Sequence, residues 1–576
     1  MKAFVLLIAF FLSAEILFAQ NDNTLDEQTI VIYNEYSPVL KDASRIESLP
    51  VILDTVKVEP KFSYEVMPSM YRTTFEPSKI PAATVKGEAL KPLNTGMVKI
   101  GYGNYISPFF EGYVNSKRQK NYSLGIAAKH HSSFGKIKNV LNQKIYSGYD
   151  DSRIEAYGKR ILFKSVLSGK VFFSSNGINY YGYDPAVYGN TDTINWDVFN
   201  YADTKDEIEK QRYNRVGANI RLESEQTGLK HWNYLLDGNY QYFFTKSKDS
   251  QHKADITANI GRTVKKAGYG LDINFVFNGN SWKAPTNSLL VLSVNPSYNE
   301  IILSTKPYFT FNSEKWKIRA GVNACGKLLD GVKYYFYPDV FVQLNISNTL
   351  LPYIKYSGHL DSNNLEFVSG TNPFVNNFAN FGYTNYQHDA NIGIKANISK
   401  KIYLHINANY SHVNDMMFFV NDTDSKLRNK FTMEYTNADL VGAYAELALK
   451  DIAPRLDITL KGHYYYFIKL ANGEKPWQKP SYDVALKTSY RLTNSISFGL
   501  EGYLLGSSYA KVYNSINYTE KKIPIAVDIN LFGEYKIDDN FNVFLYLNNI
   551  ACQRYYIWNN YRAQGFNAMI GLTYLF

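Results

Sequence analysis

The chain has 576 residues and a net charge of +10, with charged residues at 20%, aromatics at 16%, 49 Tyr, 35 Phe and two cysteines. That length allows several ordinary domains or one very large closed sheet. Cys325 and Cys552 lie in distant segments, which excludes a disulfide-rich scaffold and reads as two isolated residues rather than a pair.

The N-terminus, MKAFVLLIAFFLSAEILFAQ, has Lys2 as a minimal charged region and an apolar core from Ala3 to Ala14. That core is too short to span a bilayer as a helix and suits an export signal over 1–19, cut near Ala19 or Gln20. Glu15 interrupts the apolar run, and Leu17 departs from the small residue usual before the cut. No cysteine follows the cut, so no lipid anchor is expected. Residues 20–95 contain Pro38, Pro50, Pro60, Pro68, Pro77, Pro81 and Pro92. Proline removes a ladder donor and forces extended or turn geometry, so this segment reads as an extended arm with short strands.

From Met97 onward apolar and polar residues alternate. Ile392, Ile394, Ala396 and Ile398 share one face against Asn391, Gly393, Lys395 and Asn397. Val527, Ile529, Leu531 and Tyr535 likewise oppose Asp528, Asn530 and Glu534. Successive strand side chains point to opposite faces, so each stretch is a strand with one apolar side. Such segments number about 22, from 96–104, 107–117 and 121–133 through 386–398, 401–413 and 430–450 to 540–550 and 565–576. Connections after even-numbered strands are short, as at 313–314, 399–400 and 493–494. Those after odd-numbered strands are usually long, as at 134–150, 178–210, 280–300, 362–385, 414–429, 508–522 and 551–564. A soluble sandwich has no reason to sort loop length by parity, whereas a membrane barrel has short turns at one end, long loops at the other and an even strand number. The negative mean hydropathy fits, because only alternate residues of such a wall meet lipid. No later segment offers 18 apolar residues, so a membrane-embedded mature chain must be a barrel. The expected fold is therefore all-β: a transmembrane antiparallel β-barrel of about 22 strands (range 16–22) over 96–576, behind a short periplasmic arm.

The chain ends FNAMIGLTYLF, in mid-strand. Phe566, Ala568, Ile570, Leu572, Tyr574 and Phe576 form one apolar face, and Asn567, Met569, Gly571 and Thr573 lie on the other. The last strand is expected to pair with the first, GMVKIGYGNY, which removes both sheet edges.

The terminal pattern of Ile570, Leu572, Tyr574 and Phe576 resembles the C-terminal signal of bacterial outer-membrane barrels, which implies recognition by the barrel-assembly machinery. The last hairpin, NVFLYLNNIACQRYYIWNNYRAQGFNAMIGLTYLF, is similar to the end of TonB-dependent receptor barrels, and 22 strands is that family's number. The Tyr- and Asn-rich style resembles outer-membrane proteins of Bacteroidota. The resemblance covers 96–576 as architecture and is specific over the last hairpin. It implies uptake of a large ligand. The chain departs from the family in having only residues 20–95 where a full plug domain would stand. Within them EQTIVIYN, with Glu27, Gln28, Thr29, Ile30, Val31 and Ile32, resembles a TonB box; such an extended strip could add to a partner's sheet edge. As a motif it is weak, and read from its residues alone it is first an ordinary strand packing within the arm. A barrel of this width is normally plugged, so the arm, the long loops or a partner is expected to occupy it.

The chemistry-bearing residues are sparse. Nine histidines are scattered, and His130–His131 reads as a wet rim rather than a metal site, which needs converging ligands. No HExxH, CxxC or GxSxG occurs, so no catalytic residue, cofactor or metal site is expected. A hydrolase with Ser and His near the rim stays a remote reading. The acidic runs at 203–210 and 421–426 read as solvated surface. Aromatic clusters at 334–341, 463–467 and 554–561 read as membrane-interface girdles before carbohydrate-stacking surfaces. Lys and Arg at strand ends suit anionic lipid, and nucleic-acid binding has no support. The leading function is a receptor-like uptake barrel whose partners are outer-membrane lipid and lipopolysaccharide, the assembly machinery, and TonB or other envelope proteins. The alternatives are a non-transporting scaffold barrel of an assembly or secretion complex and a passive pore.

Overall fold

The computed structural model describes residues 94–576, apart from 118, 139–143, 184–209, 225–230, 282–296, 330, 377–380, 424, 426 and 515–516. The segments expected as export signal and, nearly whole, as arm, the strip Glu27–Ile32 and the acidic run at 203–209 lie outside the described residues.

Twenty-two strands form a single antiparallel sheet, each of them one of the segments expected from alternation. Every strand pairs with its neighbours in the chain, and the last, Asn567–Leu575, pairs with the first, Gly96–Gly103. The seam register sets Ile100 opposite Leu572 and Tyr102 opposite Ile570. Its lower end is held through the final residue. Thr95 N and Gly96 N donate to the Phe576 carbonyl at 2.6 and 3.0 Å, and Phe576 N donates back to Gly96 O at 3.1 Å. A closed sheet leaves no unpaired edge.

The two faces sort as the alternation requires. Ile220, Ile392, Ile398 and Ile570 point outward and are 64, 60, 63 and 61% exposed. Burying each in lipid is worth roughly 1.5–3 kcal/mol. The alternate residues face the lumen, where Lys487–Glu501, Lys461–Glu446 and Arg221–Glu223 form ion pairs at 3.0, 3.1 and 2.9 Å. Outward aromatics collect toward the two ends. Trp232, Tyr490, Tyr535 and Tyr574 are half-exposed toward the short-turn end, and Tyr334, Phe336, Tyr464 and Tyr466 toward the other. Tyr and Trp suit an interface because one end of the ring is apolar and the other wet.

Connections at one end are tight, at 162–164, 265–266, 313–315, 400–401 and 454–455. Those at the other end carry additional structure: the hairpins Lys136–Lys138/Lys144–Tyr146, Ser508–Asn514/Asn517–Ile523 and Tyr556–Trp558/Tyr561–Arg562, and the helix Leu365–Thr371. The strands Ile402–Asn421 and Phe431–Ala453 are 20 and 23 residues long, about twice the 9–11 that a tilted strand needs to cross a bilayer. Residues 414–421, expected as loop, therefore continue as strand beyond the wall.

Candidate functional site

The over-long hairpin builds the mouth. A bulge between Val413 and Met416, with Asp415 at φ 54, breaks its register. Bulges bend the strand that carries them. Beyond the bulge every residue from Met416 to Asn421 is buried, so both faces of the extension are covered. A run such as MMFFV marks a strand buried on both sides.

One face joins a core of Tyr213, Phe243, Leu365, Val368, Phe374, Met417, Phe419, Phe431, Met433 and Tyr561. The other joins Met416, Phe418, Val420, Ala438, Leu440 and Trp477. Tyr213 and Phe431 belong to wall strands far apart around the barrel, and Tyr561 to the loop hairpin before the last strand. They meet in one cluster only because the long connections fold inward over the lumen. Phe374 and Tyr561 stack with ring centres 3.6 Å apart, and Tyr180 donates to Val375 O at 3.1 Å.

The helix Leu365–Thr371 is seated by polar groups of the inner wall. Asn364 caps it by accepting from Phe367 N at 3.1 Å, the usual N-cap bond. Glu366 N donates to Gln251 Oε1 at 3.0 Å, and the Glu366 carboxylate accepts from Lys253 at 3.4 Å and pairs with Arg215 at 3.8 Å. Below it Asn278 and Ser362 donate to the Glu300 carboxylate at 3.3 and 2.8 Å.

Opposite the helix, Lys511 of the hairpin Ser508–Asn514 donates to Glu434 at 2.8 Å and Glu474 at 3.0 Å, with its side chain 6% exposed. Burial alone would lower the Lys511 pKa, but the two carboxylates outweigh it and hold the ammonium above its ordinary value. Lys479 is held below the ordinary lysine value by burial, with its ammonium 5.6 Å from the Phe418 ring centre. Tyr555 and Tyr561 are raised by burial and remain neutral phenols; Tyr561 donates to the Asn429 carbonyl.

Several expectations change here. Asn421 and Asp422 are buried at 6 and 4% exposure, not solvated; Asp422 accepts from Asn376 within the cap. Trp558 and Tyr561 of the 554–561 cluster pack in the cap core rather than in a girdle. Clusters 334–341 and 463–467 split by parity, with Tyr334, Phe336, Tyr464 and Tyr466 outward and Tyr337 buried. His130 bonds Ser152 at 2.7 Å. Ser107 and His131 meet at 3.2 Å, but Ser107 is fully buried and donates to Ser132 O at 2.7 Å. It is a structural hydroxyl, not a presented nucleophile. Cys325 and Cys552 are both free. Among the described residues no cluster of His, Cys, Asp and Glu could hold a metal ion. The cap escaped sequence reasoning, although MMFFV inside a connection was its signal.

Neither a protein-family model nor a curated protein matches the chain. Solved structures do. The ferric-catecholate import receptor Fiu of Escherichia coli K12 is similar with a TM-score of 0.61 at 11% identity, over 84% of this chain and 82% of that one. The siderophore receptor PirA of Acinetobacter baumannii gives 0.62 at 11%, over 84 and 81%. The FrpB iron transporter of Neisseria meningitidis gives 0.62 at 10%, over 84 and 81%. At such identities the likeness is one of fold.

Proposed function

We propose that this chain is an outer-membrane, receptor-like barrel for the uptake of a large ligand, with its long connections outside the cell and its N-terminal arm in the periplasm. One observation carries the reading: a closed 22-stranded wall, apolar outside and ion-paired inside, whose mouth is covered by its own loops. Known barrels of this width are transporters with a plugged lumen, and the neighbours in fold are named as a ferric-catecholate import receptor, a siderophore receptor and an iron transporter. The strip Glu27–Ile32 is the segment proposed to engage TonB by strand addition. Ile570, Leu572, Tyr574 and Phe576 are proposed as the assembly signal.

A second reading has its own support. The cap is an apolar core with a two-sided hairpin through it, which suits a permanently sealed scaffold barrel in an envelope complex.

Bilayer conductance of the full chain beside a variant lacking residues 21–95 separates them. Uptake predicts a closed intact barrel and wide channels after deletion. A barrel closed in both favours the scaffold, and one open in both is a passive pore.

A further inference from the structure

The short-turn end repeats one local arrangement. Phe163 precedes Lys164, Val264 precedes Lys265 and Lys266, Lys315 precedes Trp316, and Ile398 stands two residues before Lys400 and Lys401. All of these side chains are exposed. Phe163 is 90% exposed, and Ile346, Leu492 and Ile537 on neighbouring turns are 60, 49 and 55% exposed. Just inside them, on the outer wall, stand Trp232, Tyr490, Tyr535 and Tyr574. Four of these turns therefore set cations beside outward apolar groups, whereas the turns of Ile346 and Leu492 carry the apolar residue without a lysine and that of Ile537 carries Asp538 and Asp539. The acidic residues on and beside these turns are fewer: Glu314, Asp451, Asp457, Asp538 and Asp539. Two are engaged locally, Asp539 by Lys536 at 2.6 Å and Asp451 by Lys401 at 3.9 Å.

Apolar side chains this exposed are costly in water and favourable at the boundary between headgroups and acyl chains. Lysine beside them reaches outward to the headgroup while its stem stays on apolar surface. We propose that the short-turn rim is a binding surface for anionic phospholipid, with the phosphate-bearing headgroups of that leaflet as the ligands of Lys164, Lys265, Lys266, Lys315, Lys400 and Lys401. A protein partner with acidic groups would satisfy the lysines, but it gives no reason for the exposed apolar neighbour beside each of them. The inference rests on the membrane-spanning reading above.

The test uses the full chain reconstituted into vesicles of mixed phosphatidylcholine and phosphatidylglycerol. Spin-labelled analogues of each lipid report which one is enriched in the shell around the barrel. Wild type is expected to enrich phosphatidylglycerol about twofold or more over phosphatidylcholine, averaged over the whole shell. Near anionic surfaces each lysine is worth about fivefold in local association. The preference should shrink in 1 M salt, where the Debye length is about 3 Å. The quadruple variant Lys265→Gln, Lys266→Gln, Lys400→Gln, Lys401→Gln should lose most of it while keeping its strand signal and its heat-dependent mobility. Absence of a wild-type preference overturns the inference, and so does a variant that keeps it. A preference that emerges only after removal of residues 21–93 also overturns it, assigning these lysines to the chain's own arm. A chain that enters vesicles of neither composition sinks the membrane reading itself, a different failure.

Discussion

Lys511 donates to Glu434 across 77 positions of sequence, at 2.8 Å, and its ammonium lies 4.6 Å from the centre of the Tyr518 ring. The same nitrogen reaches Glu474, so one cation ties two connections to the outer end of the strand Phe431–Ala453. Removing one partner of a buried pair leaves the others uncompensated, at about 3–5 kcal/mol when the pair is fully buried. Glu434 is a third exposed, so about 2 kcal/mol is the appropriate scale here. Lys511→Met is expected to speed amide exchange in 508–523 by about 30-fold while the wall strands keep their protection. Unchanged exchange would show that the triad does not latch the cap.

Phe431 is fully buried where the crossing hairpin meets Trp558 and Tyr561. Phe431→Ala should destabilise the cap by about 3–5 kcal/mol. If the cap is the seal, the variant opens frequently in planar bilayers, whereas wild type stays closed. A silent variant would place the seal elsewhere.

At the seam, a Cβ on Gly571 would strike the Ile100 carbonyl and the Phe544 ring. The first obstacle is backbone, which cannot rotate away. Gly571→Val should therefore prevent closure, seen as loss of the compact band that folded barrels show before heating. A compact band at wild-type yield would contradict the seam geometry.

Deleting Phe576 removes the acceptor for Thr95 N and Gly96 N and the ring stacked 5.7 Å from Tyr574. If the terminal residues are read by the assembly machinery, assembled barrel in cells should fall several-fold while folding into pure vesicles changes little. Equal losses in both would make Phe576 a structural residue only.

Lys479 titrates below the ordinary lysine value because it is buried. A lowered lysine pKa means that the fold holds the charged form less well than the unfolded chain does, so the group costs stability at pH values below its unfolded pKa, pH 7 included. That cost disappears as pH rises past the unfolded value near 10.5. Lys479→Met should slow exchange of residues 474–479 at pH 7, and the advantage over wild type should vanish above about pH 10.5. An advantage independent of pH would point to packing rather than charge.

The wall was legible in the sequence because a closed sheet makes a local demand. Each strand needs only alternate residues of one character, so Ile392, Lys395 and Ile398 declare their faces without reference to any partner. The sorting of connection lengths then supplied the parity, and the parity supplied the closure between Ile100 and Leu572. Ends were less exact where the chain outran the membrane, as at Asn421, because alternation stops once both faces are covered.

The sequence by itself thus determined a closed, two-faced barrel and its seam, since period-two patterning and turn length are properties of neighbouring residues. Only the tertiary structure decided that the mouth is filled by its own loops. Tyr213, Leu365, Phe431 and Tyr561 each look like ordinary rim residues alone. They become a core only when segments hundreds of residues apart converge. Lys511, Glu434 and Glu474 became a latch the same way: a charge acquires its partner from the fold, and no local pattern announces it.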